Sequence, residues 1–182
     1  RNGIQQKYIG LAKNIEGFKA LNEHLTKHQQ NKIQFEDIAP EIKDTIIIYP
    51  FKNRKFSQLN ENEFIGIKSS ELIKLPFSEW RSHINKLVIL QPSTFRNKRD
   101  YNVHRLLRAI ENNILLSRLP FSEQTSASEI IIAEPELKDA FKEYPEIIEN
   151  TNRILAGCCV EFEYGTNKNK KCFTQSHEKD IE

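Results

Sequence analysis

The sequence contains no methionine, has three cysteines without a C-x-x-C pair, and has no apolar run long enough to cross a bilayer. A spanning helix needs roughly 20 consecutive apolar residues, and no signal peptide is visible. These absences favour a soluble protein. The three cysteines, Cys158, Cys159 and Cys172, are expected to be reduced thiols, which is typical of the cytoplasm. The predicted location is therefore cytoplasmic, with no membrane partner.

A strong net charge is also absent, because 27 basic and 25 acidic residues leave a formal charge of +2. Such balance disfavours nucleic-acid binding by bulk charge, although local basic patches remain possible. A chain of 182 residues with 38% hydrophobic residues can bury the core of one domain. Because it begins at Arg1 without methionine and stops in mid-pattern at Glu182, we expect a piece of a longer protein.

Four short apolar runs predict the strands of an α/β fold. They cover residues 8–12, 45–49, 64–67 and 87–90, and helical patterns separate them. Continuous apolar runs without alternation indicate a parallel sheet that is covered on both faces. Four strands of this length suit part of a β/α barrel, which needs more strands to close. We therefore expect the missing strands to precede Arg1 and the isolated piece to expose apolar strand edges.

Three amphipathic helices are predicted from apolar residues that lie three and four positions apart. The first follows Asn14, a good N-cap, and runs to about residue 28. The second runs from about Asp100 to about residue 116, and the third begins at Pro145. The three apolar stripes are Ile15, Phe18, Leu21 and Leu25; then Val103, Leu106, Leu107, Ile110 and Ile114; then Ile147, Ile148, Thr151, Ile154 and Leu155. Residues 158–164 predict a final strand.

The histidines carry little evidence for a metal site. His24 and His28 have the i, i+4 spacing of metal ligands, but no third ligand accompanies them, so a solvated helix face is the preferred interpretation. His104 lies beside the apolar stripe of the second helix; a structural role, for which a bond to a buried carbonyl is one form, is the preferred interpretation. Cys158 and Cys159 are adjacent, so on a strand they would point to opposite faces and could not jointly hold one metal ion.

Two basic clusters are candidates for phosphate contacts. One follows the fourth strand and contains Arg96, Lys98 and Arg99, with Arg105 and Arg108 further along the chain; the other covers residues 168–171. An ordinary solvated surface is the alternative, because neither cluster has interleaved aromatic residues. Arg96, Lys98 and Arg99 are the predicted nucleic-acid-binding residues. No phosphate-binding glycine loop, nucleophile elbow or carboxylate pair for two-metal chemistry is present.

Two segments of the chain resemble a known family. Residues 100–110 read DYNVHRLLRAI, and residues 137–155 read LKDAFKEYPEIIENTNRIL, followed by Cys158. They resemble the bacterial DNA polymerase III alpha subunit, at the end of its N-terminal polymerase-and-histidinol-phosphatase (PHP) domain. In that family a segment of the form F-x-x-x-P-E-x-x-x-N-T-x-x-I leads towards the polymerase palm. Phe141, Pro145-Glu146, Asn150-Thr151 and Ile154 fit this form.

The resemblance implies that residues 1–118 are the C-terminal part of a distorted, TIM-like β/α barrel and that residues 119–182 are a helical connector towards the palm. The parent chain would be a DNA-directed DNA polymerase, a Mg²⁺-dependent nucleotidyltransferase of DNA replication. Its partners would be DNA, other replisome subunits and the rest of the polymerase chain. The family's catalytic aspartates lie downstream of the position of Glu182, so no catalytic residue is expected here.

The family pattern is broken at one place. Many members carry Asp-x-His after the last barrel strand, as ligands of a multinuclear metal site, and these positions fall on Pro92 and Thr94. Proline has no ligating side chain, and a threonine hydroxyl is a poor substitute for imidazole. We therefore expect a degenerate site without bound metal or cofactor, and a structural or interaction domain.

Two alternatives stay open. The first is a metal-dependent phosphoesterase or 3′–5′ exonuclease of the PHP family whose ligands lie in missing segments. The second is a translesion paralogue of the same polymerase. The sequence of this piece does not separate either from the main interpretation.

Overall fold

The computed structural model of the protein describes residues 6–51, 53–162 and 165. Its strands are β1 (Ile9–Ala12), β2 (Thr45–Pro50), β3 (Glu63–Ile67) and β4 (Leu87–Ile89), and its α-helices are α1 (Ile15–Gln30), α2 (Lys98–Glu111), α3 (Glu134–Ala140) and α4 (Pro145–Ala156). Short 3₁₀ helices occupy Phe56–Gln58, Ser69–Phe77, Glu79–Ser82, Ile84–Lys86, Leu116–Arg118 and Phe121–Glu123. The predicted α/β class is confirmed, and all four strands lie where they were expected.

The strands form an open, mixed sheet in the order β1-β2-β3-β4. β2, β3 and β4 are parallel, whereas β1 is antiparallel to β2, so the prediction of an all-parallel sheet is wrong at β1. The reason lies in the connection: after α1, residues 31–44 lead the chain back to the end of β1, and Thr45 pairs with Ala12. An apolar run shows burial but not strand direction.

Both faces of the sheet are covered, as the continuous apolar runs predicted. On one face, side chains from β2, β3 and β4 pack against the 3₁₀ segments and the start of α4. The buried members of this main core are Ala39, Ile47, Tyr49, Phe51, Ile65, Ile67, Leu75, Trp80, Leu87, Phe141 and Ile147. On the other face, Ile46, Ile48, Val88 and Ile154 form a smaller cluster. The helical segment that follows α3 therefore shares the core of the sheet.

Two glycines let α1 approach the sheet closely. A Cβ atom on Gly10 of β1 would lie 2.6 Å from Cδ2 of Leu21. A Cβ atom on Gly17, in the first turn of α1, would lie 2.0 Å from the backbone oxygen of Asp44. Backbone atoms cannot give way at such a distance, so Gly17 is required for this packing, whereas at Gly10 the flexible end of Leu21 would have to move. Asn14 caps α1 as predicted, because its side chain accepts a hydrogen bond from the Gly17 N–H.

The apolar stripe predicted for α1 is largely exposed. Ile15, Phe18 and Leu25 are exposed, and only Leu21 of the predicted stripe is partly buried. The buried positions of α1 are instead Gly17 and His28. The glycine contact with Asp44 fixes how the helix rotates on the sheet, and periodicity alone cannot reveal that contact.

The predicted end of α2 and the predicted inner face of α4 are corrected in part. Residues Val103, Leu106, Leu107 and Ile110 of α2 are exposed, and the helix ends at Glu111 rather than near residue 116. In α4, Ile147 and Ile154 are buried as predicted, whereas Leu155 is 58% exposed. The periodicity identified an apolar face in each case but not the element that would cover it.

The predicted final strand is not formed. Residues 158–162 belong to no strand, and residues 163 and 164 lie outside the described residues. The segment makes one backbone hydrogen bond to the end of β1, from Cys159 N to Lys13 O at 2.9 Å. Phe162 packs edge-on against Phe18 of α1 at a ring distance of 5.2 Å. These contacts, together with packing of Cys158 against the smaller cluster, hold the segment beside the sheet without making it a strand.

A buried polar pair lies within the main core. The Tyr49 hydroxyl donates a hydrogen bond to Oε1 of Glu63 at 2.9 Å and accepts one from the Ala39 N–H at 3.0 Å. The other carboxylate oxygen of Glu63 accepts from the Asn60 N–H at 2.8 Å. Burial raises the pKa of Tyr49 to about 12, and the hydrogen bond to Glu63 and its negative charge act in the same direction.

We expect this raised pKa to make the protein alkali-sensitive. An exposed tyrosine has a pKa of about 10, so between pH 10 and about 12 the unfolded chain loses a proton that folded Tyr49 keeps. Stability should therefore be constant below pH 10 and fall as the pH rises through this window. Urea unfolding across this range, together with tyrosinate absorbance, measures the effect, with Tyr49→Phe as the control. A parallel loss of stability in the wild type and in Y49F would contradict the assignment.

Candidate functional site at the carboxyl end of the sheet

The loops after β3 and β4 meet at the carboxyl edge of the parallel strands. This edge is where open α/β sheets usually place their sites. The backbone N–H and the hydroxyl of Ser69 both donate to Oε1 of Gln91, at 3.3 and 3.1 Å. Leu90 N also donates to Ile67 O at 3.0 Å, so it extends the ladder beyond β4. The loop after β4 is thus fixed to the loop after β3 by neutral polar groups.

The two predicted ligand positions lie in this loop, and the side chain of Thr94 is hydrogen-bonded to Glu129. Pro92 is half-buried and Thr94 is exposed. The Thr94 hydroxyl donates to a carboxylate oxygen of Glu129, and Thr94 N donates to Glu129 O at 2.8 Å. A bridge between Phe95 and Ile130 continues this pairing. The local structure therefore uses Thr94 to hold residues 129–131 beside the loop.

No metal-binding group of three or more His, Cys, Asp or Glu side chains is brought together among residues 6–51, 53–162 and 165. Pro92 has no side chain that could ligate a metal ion, and the Thr94 hydroxyl donates a hydrogen bond to the Glu129 carboxylate. The donor set of this loop therefore does not fit the metal cluster that the resemblance would place here. A ligand supplied by another segment is not tested by this geometry, so the degenerate site stays a prediction.

The three basic residues after β4 lie in two different environments. Arg96 is paired with Asp100, with Nε 2.9 Å from Oδ2, and this pairing lowers the pKa of the Asp100 carboxyl. Lys98 and Arg99 are exposed in the first turn of α2 and form no hydrogen bond or salt bridge with another described residue. A helix N-terminus disfavours cations, so these two side chains are open to an anionic partner.

Arg105 and Arg108 lie further along α2, and their side chains bind neighbouring residues of the chain. Arg105 Nε donates to the Gln124 side chain at 2.8 Å. Arg108 forms salt bridges with Glu111 and Glu123. Together they attach the segment around residues 116–124 to α2, so they do not join Arg96, Lys98 and Arg99 in one surface. The second predicted cluster, residues 168–171, lies outside the described residues.

The histidine predictions need two corrections. His28 is only 8% exposed; its Nδ1 donates to the backbone oxygen of His24 at 2.8 Å, and its ring stacks on Phe35, so the solvated-face interpretation is wrong for this residue. Burial and the neighbouring His28 lower the pKa of His24. His104 does not form the expected bond, because its buried Nε2 has no partner and the ring lies 5.3 Å from Phe95.

Sequence reasoning missed the role of the Asn150-Thr151 pair of α4 at the edge of the sheet. Nδ2 of Asn150 donates to Ile84 O at 2.9 Å and to Leu87 O at 3.1 Å. The Thr151 hydroxyl oxygen accepts from Ile89 N–H at 2.9 Å. α4 thus occupies the edge of β4, and the expectation that strand edges would be exposed is wrong there. The available signal was an asparagine placed between buried apolar positions of one helix.

The comparisons with known proteins give no assignment. No protein-family model matches the chain, and no curated protein matches it significantly. No helix among the described residues has both the length and the apolar character needed to cross a membrane.

We expect Asn150→Ala to destabilise the protein by about 1–3 kcal/mol, because the backbone oxygens of Ile84, in the turn before β4, and of Leu87, the first residue of β4, would lose their donor. Asn152→Ala is the matched control, since Asn152 is exposed on the same helix. Urea denaturation of both variants measures the difference. Equal stability of N150A and N152A would show that the bonds to Ile84 and Leu87 contribute nothing.

Proposed function

We propose that this chain is part of a bacterial DNA polymerase III alpha subunit, in which it forms a structural PHP-type domain without the polymerase active site. The observation that carries the proposal is the placement of the motif in residues 141–154. Phe141 is fully buried in the main core, and Ile154 is buried on the other face of the sheet. Asn150 and Thr151 hydrogen-bond the backbone of β4 and the turn before it.

The remaining motif residues also have a physical role that suits their position. Pro145 occupies the first turn of α4, where its missing N–H costs nothing, and Glu146 follows it at the positive end of the helix dipole. The residues between Phe141 and Pro145 are exposed or only half-buried. The resemblance therefore rests on residues that start the helix, fill the core and attach α4 to the sheet.

The incomplete-barrel part of the proposal depends on the two edges of the sheet. Three parallel strands whose side chains are buried on both faces are compatible with part of a β/α barrel. Because α4 occupies the edge of β4, additional strands would have to pair at β1. The connection through α3 and α4 would then pass from the barrel towards the palm while remaining packed against β4.

In this proposal the parent chain performs nucleotidyl transfer in the cytoplasm, with Mg²⁺ held by palm aspartates that lie in another segment. This piece would contribute stability and surfaces for contact with the rest of the polymerase. The Thr94–Glu129 pairing supports a loop with a structural task. The PHP-family phosphoesterase is kept as the outcome that would replace the proposal, because no contact among the described residues favours it.

The test is to sequence the DNA that flanks this coding segment and to assay the complete gene product. We expect a reading frame that continues past Glu182 into a palm domain, and a product that extends a primed template with deoxynucleotides and Mg²⁺. Asparagine substitution of the palm aspartates should abolish extension and leave the fold intact. A stop codon soon after Glu182, with an intact His-x-His segment upstream, would decide for the phosphoesterase. Stoichiometric zinc or manganese ligated by the Pro92 loop would overturn the degenerate site.

A further inference from the structure

Helix α2 presents an aliphatic face that is largely exposed, with only the 3₁₀ segment at Leu116 beside it among the described elements. Val103, Leu106, Leu107 and Ile110 form one stripe on the helix, and their exposed fractions lie between 47% and 64%. The opposite side of α2 packs inward through the buried Ala109 and through the arginine contacts to residues 123 and 124. The aliphatic stripe is therefore the outer side of a helix whose inner side already has partners.

Part of this stripe lines a groove of about 530 Å³ between α2 and the segment that follows it. The lining residues are Lys98, Arg99, Asn102, Val103, Leu106 and Leu116. The groove is thus aliphatic along its length and basic at the end where α2 begins. Exposed apolar surface of this kind marks an interaction site more often than an isolated exposed leucine does.

The charges of the groove indicate what it would accept. Lys98 and Arg99 line it, and no acidic side chain among the described residues does. Asp100, in the same turn, is paired with Arg96 and also lies within the field of Arg99. Lys98 and Arg99 also lie at the positive end of the α2 dipole. An occupant with negative charge at this end would satisfy both cations and the dipole together.

We propose that the α2 groove binds an acidic amphipathic helix of a partner protein. Such a helix would place leucine-like side chains against Val103, Leu106 and Leu116, and carboxylates against Lys98 and Arg99. This is the helix-in-groove mode of recognition, which uses apolar anchors three and four residues apart. The inference concerns this surface alone and stands whether or not the polymerase proposal holds.

Two other occupants fit the groove less well. Single-stranded nucleic acid would use the cations but would leave the aliphatic stripe without bases to stack on, because the lining contains no aromatic side chain. A second copy of α2 would bring additional cations and no free carboxylate to the groove. The acidic amphipathic helix is the occupant that matches both the aliphatic and the basic part of the lining.

The test uses the full chain and three fluorescent helical peptides. The first has leucines three and four residues apart with glutamates between them, the second replaces the glutamates with lysines, and the third replaces the leucines with serines. Fluorescence anisotropy should show that the first peptide binds at least about tenfold more tightly than the other two. Equal affinities for the glutamate and lysine peptides would overturn the proposal.

Variants of the groove locate the binding. Leu106→Glu should weaken binding of the glutamate peptide about tenfold or more, whereas Leu155→Glu, at an exposed aliphatic position of α4, should leave it unchanged. The double variant K98E/R99E should reverse the preference between the glutamate and lysine peptides. Circular dichroism checks that the variants stay folded, and an unchanged affinity in folded L106E would place the binding elsewhere.

Two further measurements identify the competing occupants. If a single-stranded oligonucleotide displaces the peptide and L106E binds that oligonucleotide normally, the surface is a nucleic-acid site and the proposal fails. If sedimentation shows a homodimer that L106E dissociates and the glutamate peptide does not, the groove is a contact between copies of this chain and the proposal likewise fails.

Discussion

The structure depends on how the edge of β4 is satisfied. An edge strand carries backbone groups that need partners, and in this protein Asn150 and Thr151 of α4 supply them. Because the same helix buries Ile147 on one face of the sheet and Ile154 on the other, α4 acts as the neighbour of β4 in place of a fifth strand. One helix therefore completes both hydrophobic clusters and closes one side of the sheet.

Because α4 closes the sheet at β4, the segment between β4 and α3 stands apart from the sheet. This segment carries α2, and we call it the excursion. The sheet, the 3₁₀ segments after β3 and the α3–α4 region share the main core. None of the buried residues of the excursion, Phe95, Ala109 and Leu119, belongs to either cluster of the sheet. α2 packs instead through buried Ala109 and through ring contacts of Tyr101 and His104 with Phe95, and Arg105 and Arg108 attach the segment that follows it. A helix whose inner side already has these partners can leave its aliphatic side open for a partner.

The sequence predicted the fold where a single physical signal was sufficient. Buried β-branched runs located the strands to within one or two residues, and proline at the first turn located α4. Strand direction at β1 depended on the return of residues 31–44, and no local pattern encodes that path. The position of Thr94 in the candidate site was predictable, but its bond to Glu129 joins residues that are far apart in sequence. The role of Asn150 was missed because its acceptors, the backbone oxygens of Ile84 and Leu87, are far away in the sequence. Without them, a polar residue in an apolar stripe does not indicate burial.

The arginine contacts of α2 give the two parts of the protein different responses to their surroundings. Salt bridges between Arg108 and the two glutamates weaken as ionic strength rises, whereas apolar burial in the sheet does not. At high salt the excursion should loosen as a local unit while the sheet and α4 stay intact, a form of sub-global opening that amide hydrogen exchange detects. The protein thus combines a sheet held by apolar burial with a helical segment whose ion pairs respond to the ionic medium.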